Sequence, residues 1–228
     1  MFVLEPLHFL ITAGPTREPI DPVRYISNRS SGKMGYAIAE AAARAGHLVD
    51  LISGPVAIPA PAHDNVRVTS VETTRQMYDA VAARIGQADV AIMSAAVADY
   101  RPVEVSPQKI KKTRQAELVL RLEKTEDILG SSRSVLGFDG LLVGFAAETE
   151  RLAENARDKL VRKQCDLIVA NDVSRSDIGF DAESNEVILF HADGQEMPLP
   201  KGAKSALARE LVRIIEGLVR DRMRTHAS

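Results

Sequence analysis

The chain predicts an α/β fold, a mostly parallel sheet flanked by helices with a small antiparallel sheet projecting from it. Two observations carry this: short apolar runs alternate with helical stretches, and two segments near residues 118 and 187 break the alternation with strand-like patterns. Strands alternating with helices are the signature of a parallel sheet covered by its crossovers. The strand candidates in order are Phe9 to Thr12, Leu48 to Ser53, Val66 to Val68, Val90 to Ser94, Leu141 to Phe145 and Leu167 to Ala170. Between the first two, Ala37, Ile38, Ala41, Ala42 and Ala45 form a small-residue stripe ending at Gly46, which lets a helix lie close on its sheet. Near the C-terminus Leu207, Leu211, Ile214, Ile215 and Leu218 recur at spacings of three and four, an amphipathic helix docking on the domain.

In the first exceptional segment Leu118, Leu120 and Leu122 alternate with Val119, Arg121 and Glu123, which predicts a half-buried strand. In the second, Val187 to Phe190, Asp193-Gly194, then Met197 and Leu199 spell a hairpin with a type I′ turn signal. The two are expected to pair into the projecting antiparallel sheet, which would serve as a dimer contact. Residues 1–228 then form one domain with a dimerisation and flap subregion at about 100–123 and 173–199. The Pro-rich piece from Pro55 to Pro61 is short enough to be a surface loop.

With 29 Lys plus Arg against 31 Asp plus Glu, the formal charge of -2 gives no electrostatic reason to expect nucleic acid or an anionic membrane as partner. The single Cys165 excludes an intramolecular disulfide and a multi-cysteine metal site, and suits a cytoplasmic protein. Met1 to Leu10 lacks a basic n-region and is broken by Pro6, and no apolar run approaches the about 18 residues of a membrane span. Neither secretion nor a transmembrane anchor is expected.

The loop after the first strand, Gly14 to Gly35, is long and polar and leads into a helix. A dinucleotide fingerprint would need glycines at 14, 16 and 19, but Thr16 and Pro19 occupy two of those places and no acid ends the second strand, so NAD is not expected. Gly32-Lys33 suggests a P-loop, yet Ser27 replaces its first glycine and Met34 its magnesium-binding hydroxyl residue. What remains is a Ser/Gly-rich turn at a helix N-terminus, favourable to phosphate and flanked by Arg24, Asn28, Arg29 and Lys33. A capped helix beside a solvated basic loop fits these residues equally well.

Ser94 to Pro102 follows the fourth strand with small residues that let a ligand approach the backbone, and Lys109 to Lys112 lies in a polar loop beyond it. That loop, bounded by Pro102 and Pro107, is expected to be mobile and to close on phosphates. Gly144 to Thr149 ends the fifth strand and precedes a helix carrying Lys159 and Lys163, four apart and therefore on one face. A bound anion would relieve their mutual repulsion, although both also complement the helix C-terminus. His8, His47, His63, His191 and His226 show no metal-ligand spacing, and Cys165 has no neighbouring base in sequence. The inventory suits nucleotide-driven chemistry: cations and backbone dipoles for phosphates, an amide to orient a carbonyl, and no enzyme nucleophile.

Taken together, Gly14 to Arg24, Ser27 to Gly35, Ala95-Ala96-Val97-Ala98-Asp99-Tyr100-Arg101, Lys109 to Lys112, Gly144 to Thr149 and Ala170-Asn171-Asp172 closely resemble the phosphopantothenate–cysteine ligases, the bacterial phosphopantothenoylcysteine synthetases. The resemblance runs from about Phe9 to the final helix. It implies a Rossmann-like ligase of coenzyme A synthesis. The carboxylate of 4′-phosphopantothenate attacks the α-phosphate of CTP, releasing pyrophosphate, and the amine of L-cysteine then displaces CMP from the acyl-cytidylate. By matching motif, Asp99, Lys109, Phe145, Lys159 and Lys163 would hold CTP, with Asp127, Ile128 and Leu129 lining its site. Arg24, Asn28 and Ala96 would serve the acyl intermediate, and Asn28, Lys109 and Arg24 would be the catalytic residues. The resemblance also implies Mg2+ with the nucleotide, metal ligands unassigned, no flavin in this chain, a homodimer, and CTP rather than the ATP used by animal enzymes. Many family members carry this activity behind a flavin-dependent decarboxylase, so the chain is expected to be a stand-alone ligase or a separated domain that associates with one. Glu126 stands where the family is expected to carry Pro. The alternative from another class is a non-catalytic nucleotide-binding Rossmann-like module.

Overall fold

Every apolar run forms a strand. The structure, a computed structural model, describes residues 5–112, 117–174 and 183–226. In chain order its elements are β1 (His8–Ala13), β2 (Arg17–Pro19), β3 (Tyr25–Ser27), α1 (Lys33–Arg44), β4 (Leu48–Ser53), β5 (Val66–Ser70), α2 (Thr74–Ala82), β6 (Val90–Met93), β7 (Tyr100–Pro102) and β8 (Leu122–Lys124). There follow α3 (Ile128–Ser134), β9 (Leu141–Glu148), α4 (Leu152–Arg162), β10 (Leu167–Asp172), β11 (Ser184–His191), β12 (Glu196–Ala203) and α5 (Lys204–His226). The main sheet has the order β12-β11-β10-β9-β6-β1-β4-β5. The six strands from β5 to β10 are parallel, and β11 and β12 are antiparallel additions.

Two helical layers cover the sheet. The small-residue face of α1 packs on it together with Leu207, Leu211 and Ile215 of α5. On the other face Met77 and Val81 of α2, Ile128 of α3, and Ala156 and Leu160 of α4 close a second core. His47, after α1, ties the first layer together. Its Nδ1 accepts from the Leu7 N–H at 3.1 Å, so the ring proton sits on Nε2 and is donated to Glu216 Oε1 at 2.9 Å, while the ring stacks on Phe9.

The hairpin from 187 to 199 does not join a projecting sheet; it extends the main one. β11 pairs with β10, Ile188 opposite Ala170 and Phe190 opposite Ile168. The continuous run Val187-Ile188-Leu189-Phe190 explains this: Val187 and Leu189 enter one core while Ile188 and Phe190 pack in the other. A strand with two apolar faces belongs inside a sheet, where burying a side chain such as Phe190 contributes about 1.5–3 kcal/mol. Nor is its turn type I′. Gly194 has φ 90° but neither Ala192 nor Asp193 has positive φ, and Gly194 N–H donates to His191 O at 3.0 Å. This is a three-residue loop with Gly in the left-handed position.

A small antiparallel sheet does project, built from β7 and β8, with Tyr100 opposite Lys124 and Pro102 opposite Leu122. The expected half-buried strand over 118–122 is therefore displaced toward 122–124, and its burial is not seen within one chain: Leu118 and Val119 are 58% and 81% exposed. Parts of the expected dimerisation and flap subregion, 113–116 and 175–182, fall outside the described residues.

Candidate functional site

The parallel strand order places a switch point between β1 and β6, where successive crossovers leave in opposite directions and open a crevice at the carboxyl ends of the strands. The loops after these two strands meet there. Ala96 N–H donates to Gly14 O at 2.9 Å and Thr16 N–H to Ala96 O at 3.3 Å. Gly35 lets α1 begin close to the sheet, since a Cβ at that position would lie 2.6 Å from Ala13 Cβ and 2.7 Å from Ser94 Oγ. The α1 N-cap is Gly32 at φ 75°, with no side-chain cap, so the capped-helix reading of this loop does not hold. Beyond lies an open cleft of about 950 Å³.

Asn28, Ala96, Asp99, Asp127, Ile128, Leu129, Phe145, Lys159 and Lys163 all line this cleft. Lys159 and Lys163, at the C-terminal end of α4, form one wall. Lys159 Nζ donates to Phe145 O at 2.6 Å, and burial lowers its pKa against the opposing pull of Glu148. Lys163 pairs with Asp127, whose other oxygen caps α3 by accepting from the Gly130 N–H at 2.9 Å. Burial pushes the Asp127 carboxyl up, but Lys163 and the Gly130 N–H outweigh it and hold it below the usual carboxylate range. Asn28 bridges the two central loops. Its Nδ2 donates to Ala96 O and to Val97 O, both at 3.0 Å, so both amide protons are engaged.

Arg24 and Lys109 do not line the cleft. Arg24 lies in the turn between β2 and β3, where it is paired with Asp21, and its Nη2 donates to Ile110 O at 2.7 Å. The Lys109 loop is tied down rather than loose, because Ser106 N–H donates to Ile20 O at 3.0 Å and Ile110 N–H to Asp21 Oδ2 at 3.0 Å. Polarity and flanking prolines report on a loop's own chain, whereas these bonds come from a segment more than eighty residues away.

Sequence reasoning missed the polar fastening behind this site. Glu18, 2% exposed, accepts from Thr74 N–H at 2.8 Å and from Thr74 Oγ1 at 2.7 Å. Thr16 Oγ1 accepts from Ala98 N–H at 2.9 Å, so hydrogen bonds fasten β2 and the residue before it to the N-terminus of α2 and the loop after β6. Both residues stand in the first quoted motif, but nothing local marks them as buried. Glu126, at the unexpected non-proline position, accepts from Arg101 Nη1 at 2.9 Å and pairs with Arg75, which joins the β7–β8 sheet to α2. Cys165 is buried and its thiol is pushed up to about 12 by that burial, as an inert thiol should be. Lys33, Asn171, Asn185 and Lys204 also line the cleft, and Lys33 Nζ donates to Glu183 Oε1 at 2.5 Å.

A parallel sheet of this order, opening at its switch point into a cation-walled cleft, defines a Rossmann-like α/β domain. More narrowly, the chain belongs to the family of the DNA/pantothenate metabolism flavoprotein C-terminal domain, whose pattern matches residues 4–218. It is 48% identical over 211 residues to the coenzyme A biosynthesis bifunctional protein CoaBC of Escherichia coli (strain K12), covering 92% of this chain and 51% of that protein. It is 46% identical over 217 residues to CoaBC of Vibrio vulnificus (strain YJ016), covering 95% and 53%. The chain thus spans about half the length of the curated relatives it matches. Among solved structures, the C-terminal domain of CoaBC is 42% identical with a TM-score of 0.81, covering 96% of this chain and 98% of that one. Among the described residues, no helix is long and apolar enough to cross a membrane.

Proposed function

We propose that this chain is a phosphopantothenate–cysteine ligase of coenzyme A biosynthesis, acting in the cytoplasm through an acyl-cytidylate formed from CTP. The observation that carries the reading is the convergence of Asn28, Ala96, Asp127, Phe145 and Lys159, from motifs far apart in sequence, on one cleft. Lys159 and Lys163 would face the triphosphate and offset the charge that develops as pyrophosphate leaves. Ala96 leaves room for the acyl group, and Asn28 would orient its carbonyl. Among the described residues no group of three or more His, Cys, Asp or Glu could hold a metal by itself. That fits Mg2+, which commonly binds through one or two carboxylates plus substrate phosphates and would neutralise the leaving pyrophosphate. Glu126 is committed to Arg101 and Arg75, and Asp127 to Lys163, which leaves Asp99 as the cleft carboxylate to meet it.

The test supplies 4′-phosphopantothenate, L-cysteine and magnesium with either CTP or ATP and compares initial rates of phosphopantothenoylcysteine formation. CTP is expected to be faster, because Phe145 and Asn171 line the cleft where the exocyclic amine and carbonyl of a pyrimidine could be read by polar and backbone groups. A wrong base leaves buried polar groups unpaired at about 1–3 kcal/mol each, roughly 5- to 150-fold in rate. Equal or faster turnover with ATP refutes the CTP assignment and leaves the ligase. No turnover with either, but nucleotide binding, favours the non-catalytic module.

Lys159 makes CTP affinity depend on pH. Its burial-lowered pKa means that it loses its proton, and its hold on a triphosphate, at a lower pH than an ordinary lysine. CTP affinity is expected to fall on raising the pH above neutrality, and Lys159→Arg, which stays charged, is expected to flatten that fall. Titration of CTP binding between about pH 7 and 10, the span below an ordinary lysine pKa, checks this. A parent and variant with the same profile contradict it.

The homodimer is supported by the β7–β8 projection, where Val103, Val105, Leu118 and Val119 are exposed and apolar. Association with a phosphopantothenoylcysteine decarboxylase is supported by the bifunctional relatives, of which this chain spans about half.

A further inference from the structure

We infer that Asp21 is a positioning residue for both half-reactions, locking Arg24 and the loop that carries Lys109 into one unit; this rests on the ligase reading above. The Asp21 side chain is fully buried and its carboxylate divides its work between its two oxygens. Oδ1 accepts from the N–H groups of Val23 at 2.8 Å and Arg24 at 2.9 Å, which shapes the turn between β2 and β3. Oδ2 accepts from Arg24 Nε at 3.0 Å, from Arg24 Nη2 at 2.5 Å and from Ile110 N–H at 3.0 Å. The same Nη2 donates to Ile110 O at 2.7 Å, so carboxylate and guanidinium together grip both polar groups of one peptide residue beside Lys109.

A turn needs only the first oxygen. The second spends a buried charge on a loop 89 residues away, next to a lysine the turn does not require. Arg24 remains 43% exposed, so its guanidinium is fixed in direction and still reachable by a ligand. Neither Arg24 nor Lys109 lines the cleft of its own chain, so whether the two reach a reacting phosphate or acyl group by closing on that cleft or by facing that of a second copy, this contact presents them together. A buried carboxylate also restrains the guanidinium more than solvent would, since hydrogen bonds between charged partners are the stronger kind.

Asp21→Asn in the full chain separates the two oxygens: the amide oxygen retains the turn, while its NH2 confronts the donors of Arg24 and Ile110. The first readout is amide hydrogen exchange over residues 104–112, expected to accelerate at Ile110. The second is kinetic. Single-turnover pyrophosphate release and cysteine-dependent amide formation are both expected to fall, on the order of 10²-fold as for a misplacement of about 1 Å. CTP affinity, to which Lys109 is one contributor among several, is expected to fall by less than the two rates. The double variant Asp21→Asn with Arg24→Gln is expected to lose less than the product of the two single effects on amide formation, because residues acting through one another are not additive. Unchanged exchange at Ile110, or faster exchange with both rates at parent values, overturns the inference. A loss of CTP affinity and melting temperature in step with the rates also overturns it, by assigning Asp21 to folding alone. If Asp21→Asn does not fold, Ile110→Pro removes the same hydrogen bond from the other side while leaving the charge in place, and is read by pyrophosphate release. A parent that makes no product refutes the ligase reading, whereas exchange at Ile110 still decides whether Asp21 holds the loop.

Discussion

Asn28→Asp is expected to release pyrophosphate and then stall with acyl-cytidylate accumulated. The amide can donate to the oxyanion that develops when cysteine attacks, and removing such a donor costs roughly 2.7–4 kcal/mol, or about 10²–10³ in rate. The acid keeps the shape but presents an acceptor and a charge where a donor is needed. The geometry adds a second effect. Nδ2 of Asn28 holds Ala96 O and Val97 O, both at 3.0 Å, so donation to substrate requires it to release one of these carbonyls. In Asn28→Asp both carbonyls would face a carboxylate oxygen, and the loops after β1 and β6 would lose a bridge worth about 0.5–1.5 kcal/mol per hydrogen bond. Trapping the acyl-cytidylate after a single turnover checks the prediction. Unimpaired amide formation would remove Asn28 from the reaction, and loss of both steps together would make it a loop fastener only.

Lys109→Gln is expected to suppress pyrophosphate release itself, on the order of 10²-fold, as removal of one preorganised electrostatic contact does. The order of failure is the discriminating feature: this variant accumulates no acyl-cytidylate, unlike Asn28→Asp. Lys109 is exposed and lies outside the cleft of its own chain, so its charge reaches the phosphates only when the body comprising β2, β3 and the 106–110 segment closes, or when a second copy presents it. Rapid-quench measurement of pyrophosphate decides. Release at the parent rate would reduce Lys109 to a solvated charge.

The six parallel strands and the two long helices that cover one face were legible because their signals are local. An apolar run such as Val90 to Met93 is buried on both faces wherever it lies in the sheet, and the alanines of α1 read the same before and after packing. Small residues after a strand end, such as Ala96 after β6, likewise marked the edge at which a ligand can approach the backbone. For the same reason the residues at that edge, from Asn28 to Lys163, could be assigned to one site through the family resemblance, and the fold brings most of them together.

Placement of the irregular segments was not legible. Val187 to Phe190 was recognisable as a strand, but whether it paired with β10 or with the segment near 118 depended on which apolar edge was open. The alternation of Leu118, Leu120 and Leu122 announced a half-buried face, yet all three are exposed, and among the described residues none covers them. Glu18 and Asp21 resembled ordinary charges in a polar loop; only their contacts with Thr74 and Ile110 reveal them as buried. Periodicity and propensity register interactions within a few residues, and so they specify the strands, the helices and the chemical character of each loop. The pairing of a carboxylate with one particular cation, and the distance of Arg24 and Lys109 from the cleft, arise from contacts between segments remote in the chain, whose energies exist only once the sheet has brought those segments together.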